Sequence, residues 1–150
     1  MELVTQIDDK EVWLEIFSRP YTLEIPFGGE DFVCVLFAND PSVTPEEQYS
    51  QSRELVAAGC KFALCAGINA SSWHDAIDDA YLATDENYSP PDETMIMTTW
   101  HENESLAEVM WVALHCTDFD DHHFRKLLVL LVGPDSKVEQ EVRSYLSKPE

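Results

Sequence analysis

Apolar positions along the chain fall into two kinds of pattern. Four runs are short and nearly continuous, at Phe32–Ala38, 61–66, 94–99 and Lys126–Val132. Runs of this length predict strands covered on both faces, as in a parallel sheet. Between and after them, apolar residues recur at spacings of three and four, the period of a helix with one buried face. Thr44-Pro45-Glu46-Glu47 predicts a helix start. Thr caps, Pro fits the first helical position, and Glu47 closes a capping box. Tyr49, Leu55 and Val56 belong to that helix, and Gly59 is a suitable stop. Ser72-Trp73-His74-Asp75 predicts a second start, with Ile77, Ala80 and Tyr81 on the apolar side. Asn103 is expected to cap a third helix through Leu106, Val109, Met110, Ala113 and Leu114. Ser136 and Glu139 match a capping box opening a last helix with Val138, Val142 and Tyr145.

The order βαβαβαβα implies an α/β fold with a mainly parallel sheet and helices on its faces. Right-handed crossovers make it a three-layer Rossmann-like or flavodoxin-like domain with four core strands, over 31–147. Residues 1–30 read as an extension. Val12, Trp13, Ile16 and Phe17 share one helical face and predict an N-terminal helix. Tyr21, Leu23, Ile25 and Phe27 alternate with polar neighbours and predict an edge strand, and Gly28-Gly29 turns the chain into the first core run. A length of 150 residues fits one domain.

Charge adds the most distinctive property. Asp and Glu total 29 against 9 Lys and Arg, a formal net charge of −20. Such a field repels nucleic acid, whose binding requires Lys and Arg to displace counterions. Anionic membrane surfaces are disfavoured for the same reason. A basic protein partner is favoured, and solubility is the plain alternative explanation. From 66 to 124 there is no Lys or Arg, while thirteen carboxylates occur there. Four cysteines without a CxxC pair, a start without signal-peptide character, and a longest apolar run of only Leu127 to Val132 point to a cytoplasmic, reduced protein.

Open parallel sheets bind ligands beyond the carboxyl ends of their strands. Those ends carry Asn39 and Asp40, Asn69, and Trp100-His101-Glu102, with Gly133-Pro134-Asp135 after the last strand. Asn39, Asp40, Asn69, His101 and Glu102 are the candidate ligand rim, and His101 with Glu102 is a candidate acid/base pair. No cofactor is assigned. The segment after the first core run, Asn39-Asp40-Pro41-Ser42-Val43-Thr44, lacks the glycines of a dinucleotide loop, and no P-loop lysine occurs. A receiver-type phosphoacceptor site would need a late Lys, and Gly133-Pro134-Asp135 offers none. The densest collection of metal-ligand types, at 115–123, has the spacing of neither HExxH nor a calcium loop, so no metal site is assigned. No GxSxG elbow is present, and Cys65, a conceivable nucleophile beside His74 or His101, reads as a buried thiol.

A different surface follows from the second helix. Asp75, Asp78, Asp79 and Glu86 are spaced to share an outward face, with Trp73 and Trp100 as aromatic anchors and Glu102 nearby. The leading expectation is therefore a non-enzymatic acidic module that binds a basic partner, as an inhibitor or immunity-type protein would. The alternatives are a small enzyme or ligand-binding domain at the rim, and an accessory domain whose acidity serves solubility.

Overall fold

The computed structural model describes residues 1–148. Its elements are β1 (Glu2–Ile7), β2 (Lys10–Phe17), β3 (Phe32–Ala38), α1 (Pro45–Ala58), β4 (Cys60–Gly67), α2 (Ala70–Leu82), β5 (Met97–His101), α3 (Leu106–His115), β6 (Lys126–Val132) and α4 (Ser136–Ser147), with one 3₁₀ turn at Asp92–Thr94. The fold is α/β. Six strands form one mixed sheet in the order β1-β2-β6-β3-β4-β5. All neighbours are parallel except β1, which runs antiparallel to β2. The chain moves from β3 through β4 to β5 in one direction, then returns to place β6 on the other side of β3. With right-handed crossovers this reversal puts α1 and α2 on one face and α3 and α4 on the other. Two cores result. Val109, Met110, Ala113, Val142 and Leu146 pack on Val35, Leu64 and Val129 on one side. Leu55, Trp73 and Ile77 pack with Leu36, Cys65 and Leu130 on the other.

The central strands form where continuous apolar runs require two covered faces. Every residue of β3 is buried, and β6 is buried from Leu127 onward. Helix α1 begins as its sequence dictates. Thr44 Oγ1 accepts from Glu47 N–H, the Glu47 carboxylate accepts from Thr44 N–H, and Gly59 ends the helix in the left-handed region at φ 113°. Other boundaries differ from expectation. Helix α2 starts at Ala70, after Asn69, rather than at Ser72. Ser105, not Asn103, caps α3 by accepting from Glu108 N–H. Asp135 rather than Ser136 caps α4, accepting from Lys137 and Val138 N–H. The strand expected at 94–99 is shifted, with the 3₁₀ turn before it and β5 at Met97–His101.

Residues 1–30 correct the sequence expectation most. The predicted N-terminal helix is a β-hairpin. Asp8 and Asp9 make its two-residue turn, with Asp8 at φ 55°, a region Asp tolerates better than most residues. β2 is interior, so Val12 and Leu14 face one core while Phe17 faces the other. A strand with apolar residues on both faces loses its alternation and mimics helical spacing. The predicted edge strand does not form either. Leu23, Ile25 and Phe27 lie instead with Tyr21 against the core on the α1/α2 side, and Trp13, Phe27 and Phe32 meet edge to face. The segment covers the part of that sheet face beyond α1 and α2. The sheet thus has six strands, two of them supplied by the N-terminal hairpin.

Candidate functional site

The carboxyl ends of β3 and β6 flank the point where strand order reverses, the usual ligand crevice of such sheets. Two close backbone approaches shape it. Gly67 packs so tightly on Ala38 that a Cβ there would lie 2.3 Å from the Ala38 carbonyl oxygen. Gly133 lies against Asp40, where a Cβ would meet Asp40 Cβ at 2.7 Å. Asn39 Nδ2 donates to the Gly133 carbonyl at 3.2 Å and ties the two ends together. Beside them is an open groove of about 520 Å³. Phe37, Ala66, Leu106 and Val109 supply apolar lining, and Asn39, His101, Glu102, Glu104, Asp135 and Glu141 supply polar lining. Among the described residues, no Lys or Arg lines it. Two helices start here, but Ser105 and Asp135 already cap them. With four carboxylates present, the groove is hostile to phosphate and suited to a cation.

Within the groove wall, Glu104 Oε2 lies 2.8 Å from His101 Nδ1, and His101 Nε2 lies 2.8 Å from Thr99 Oγ1. In a neutral imidazole, a carboxylate accepting from Nδ1–H leaves Nε2 to accept from the threonine hydroxyl. Glu104 was not among the rim residues expected from sequence. Its signal was the His101–Glu104 spacing of three across a turn. Glu102, the expected partner, lines the same groove, but it is Glu104 that accepts the His101 hydrogen bond.

The rim residues therefore divide. Asn39, His101 and Glu102 come together. Asp40 points elsewhere: it accepts from Ser42 N–H at 2.9 Å and Ser42 Oγ at 2.6 Å, bonds the Tyr21 hydroxyl, and faces Arg19 at 3.6 Å. The Ser42 and Tyr21 hydroxyls hold the Asp40 carboxyl down at about 2. Burial, then Asp40, pushes the Tyr21 phenol up to about 12. This network locks the N-terminal segment onto the β3 loop. Asn69 sits in the left-handed region at φ 58° before α2, with no side-chain cap bond, and does not line the groove.

The partner-facing residues divide too. Trp73 is only 2% exposed and belongs to the core. Trp100 is 50% exposed and meets His74 edge to face, with ring centroids 4.6 Å apart. His74 in turn contacts Asp75 at 3.0 Å and Asp78 at 3.5 Å, and Asp78 accepts from Thr98 Oγ1 at 2.6 Å. Asp75 and Asp79 are exposed, whereas Glu86 falls beyond the end of α2 at Leu82 and does not share its face. Helix α2, strand β5 and helix α3 all lie in the stretch without Lys or Arg. Helix α2 packs against β5 at that edge of the sheet, while α3 lies over β3 and β4. Lys61 of the neighbouring β4 reaches the Thr94 carbonyl just before β5, at 3.4 Å.

At the amino edge of the sheet, the expected ligand types at 115–123 do not converge. His123 bridges Asp118 and Asp9, at 2.6 Å each, and the Lys10 ammonium donates to the Phe124 carbonyl. Among the described residues, no group of three or more His, Cys, Asp or Glu is arranged to hold a metal ion. Cys34, Cys60 and Cys65 are buried, and burial pushes their thiols up, Cys60 to about 12; Cys116 is exposed. A larger hollow of about 580 Å³, between α1 and α2, is lined by Val56, Ala57, Ala80, Ala83 and Thr84 with Ser50, Arg53 and Glu54, and gathers no comparable polar set.

The family model for a domain of unknown function, DUF7684, matches residues 16–149. The chain belongs to this family. The match begins within β2, so it takes in the groove and the whole β5 end but not β1. No curated protein and no solved structure matches the chain. Among the described residues, no helix is long and apolar enough to cross a membrane.

Proposed function

We propose that this chain is an acidic binding module that captures a basic protein through its β5 end, built from α2, β5 and the turn that carries Glu102 and Glu104. One observation carries this reading: the stretch free of Lys and Arg supplies both α2 and β5, which pack together at that edge of the sheet, and Trp100 is exposed there. Three cations elsewhere, among the described residues, are drawn into internal ion pairs. Arg19 binds Glu47, Lys126 binds Glu11, and Arg143 binds Glu2 and Glu139. Among the described residues, the carboxylates of α2 and of the turn after β5 are met by histidine and hydroxyl groups rather than by Lys or Arg side chains, and their field speeds encounter with a positive surface. Inhibition of a basic enzyme, with the chain as an immunity-type protein, is the sharpest form. The expected setting is cytoplasmic. The test is quantitative capture from the source cell at low and high salt, comparing the native chain with Asp75→Asn/Asp79→Asn/Glu102→Gln. A basic protein retained by the native chain at low salt, and lost on adding salt or on neutralising the three carboxylates, fits the proposal. Equal capture by both forms refutes it.

The groove supports a second reading, a ligand-binding or catalytic site for a small organic cation. Its apolar floor, its carboxylates and the Glu104–His101–Thr99 chain favour it. Screening amines by thermal shift against native protein and His101→Ala tests it. Amines that stabilise both proteins equally would exclude a site at His101.

A further inference from the structure

The two lateral edges of the sheet are finished differently, and the β5 edge is finished for a partner. An edge strand presents a row of unpaired N–H and C=O groups, which proteins normally blunt with charge, proline or a bulge. β1 follows that rule. Its register shifts between Leu3 and Thr5, and Glu2 is held by Arg143 at 2.9 Å. β5 does not. It reads Met-Thr-Thr-Trp-His, with no Lys, Arg, Asp, Glu or Pro, and pairs with β4 over all five residues without a register shift. Among the described residues, no backbone hydrogen bond from a loop reaches 97–101. Five residues is an ordinary strand length, long enough to template another.

Resting on the binding-module reading, we propose that β5 accepts an extended segment of the basic partner as a seventh strand of the sheet. Strand addition takes affinity from main-chain hydrogen bonds and specificity from alternate side chains. The surroundings select the occupant. Asp92 and Glu93 precede β5, Glu102 and Glu104 follow it, and Asp75, Asp78 and Trp100 lie on its α2 side. Lys or Arg at every second position of the incoming segment would meet those carboxylates, with the aliphatic stems against Trp100. A second copy of this chain is disfavoured, because its own β5 edge carries the same negative field at a formal charge of −20.

The probe is a blocked peptide of alternating Lys and Thr. Two controls accompany it: the same peptide with two alternate amides N-methylated, and a Glu–Thr counterpart. The Lys–Thr peptide is expected to slow amide exchange at 97–101 and leave 2–7 unchanged. N-methylation is expected to weaken binding about tenfold, as the loss of two backbone donors implies. Trp100→Lys abolishes the protection, and Leu3→Lys on β1 does not; both positions are about half exposed, at 50% and 49%. Equal binding of the methylated peptide overturns strand addition while leaving the acidic-face reading intact. Binding of the Glu–Thr peptide as tight as that of Lys–Thr overturns both. No binding of Lys–Thr at low salt overturns strand addition, and the salt-dependent capture assay then judges the acidic face alone. Protection of 97–101 that rises with protein concentration, without peptide, assigns the edge to a second copy and overturns the proposal.

Discussion

β1 and β5 border the same sheet, yet they solve the edge problem in opposite ways. On the β1 side, charge is used up inside the molecule. Arg143 clamps Glu2 to α4, the N-terminal amine meets Glu15 at 2.8 Å, and His123 joins the hairpin turn at Asp9 to Asp118. On the β5 side, among the described residues, carboxylates meet histidine and hydroxyl partners but no Lys or Arg side chain. One edge is closed and the other is left electrostatically hungry. The lesson is that net charge says less than where charge is paired.

The largest test of this contrast is Leu14→Ala. Leu14 is buried in β2, opposite Glu2 of β1, and its truncation should cost about 2–5 kcal/mol by chemical denaturation if the hairpin is part of the core. A loss too small to measure would reduce the hairpin to an appendage. Lys10→Met comes next. Lys10 is 6% exposed and its ammonium serves the Phe124 carbonyl, so the substitution keeps the stem but orphans a buried acceptor, at about 1–3 kcal/mol. Burial already holds the Lys10 ammonium below its ordinary pKa, with Asp118 and Asp9 pulling the other way. Trp100→Ala, on the open edge, should change stability by less than about 1 kcal/mol while removing partner binding. A large fall in melting temperature would make Trp100 a structural residue rather than a contact.

The smallest effect has the clearest pH signature. Asp118, then Asp9, raise His123 above 6.5, and hydrogen bonds from His123 help to lower both carboxyls below 3.8, against burial. A raised histidine pKa stabilises fully below 6.5 and loses that contribution as pH rises through the folded value. Lowered carboxyl values stabilise above 3.8 and fade as pH falls through theirs. The difference between the native chain and His123→Ala should therefore be greatest between these limits and shrink toward alkaline pH. A constant offset from pH 5 to 9, roughly the span in which histidine changes charge, would rule out the bridge.

What was legible in the sequence follows from which signals are local. β3, β4 and β6 were readable because two-sided burial demands unbroken apolar runs, and α1 because Thr44, Pro45, Glu47 and Gly59 each act within one turn. The hairpin was not, since Val12, Trp13, Ile16 and Phe17 fit a helical face as well as an interior strand, and only pairing with β6 decides between them. Residues 21–27 alternate as a strand would, but long-range packing under Trp13 lays them flat on the sheet. At the groove, Asn39, His101 and Glu102 follow from the sequence because the strand ends locate them. Glu104 was missed because its bond to His101 depends on how one turn folds. Trp73 and Trp100 could not be told apart, as burial is a property of the whole fold.

The cysteines turn these edges into something an experimenter can watch. Among the described residues, Cys34, Cys60 and Cys65 are buried in the core on the α1/α2 side, and Cys116 is exposed just after α3. A maleimide dye should therefore attach at one point on the native protein, without engineering. A single fluorophore placed there, beside the β1–β2 hairpin, leaves Trp100 and the β5 edge untouched, so capture of a partner can be followed by fluorescence anisotropy without any substitution.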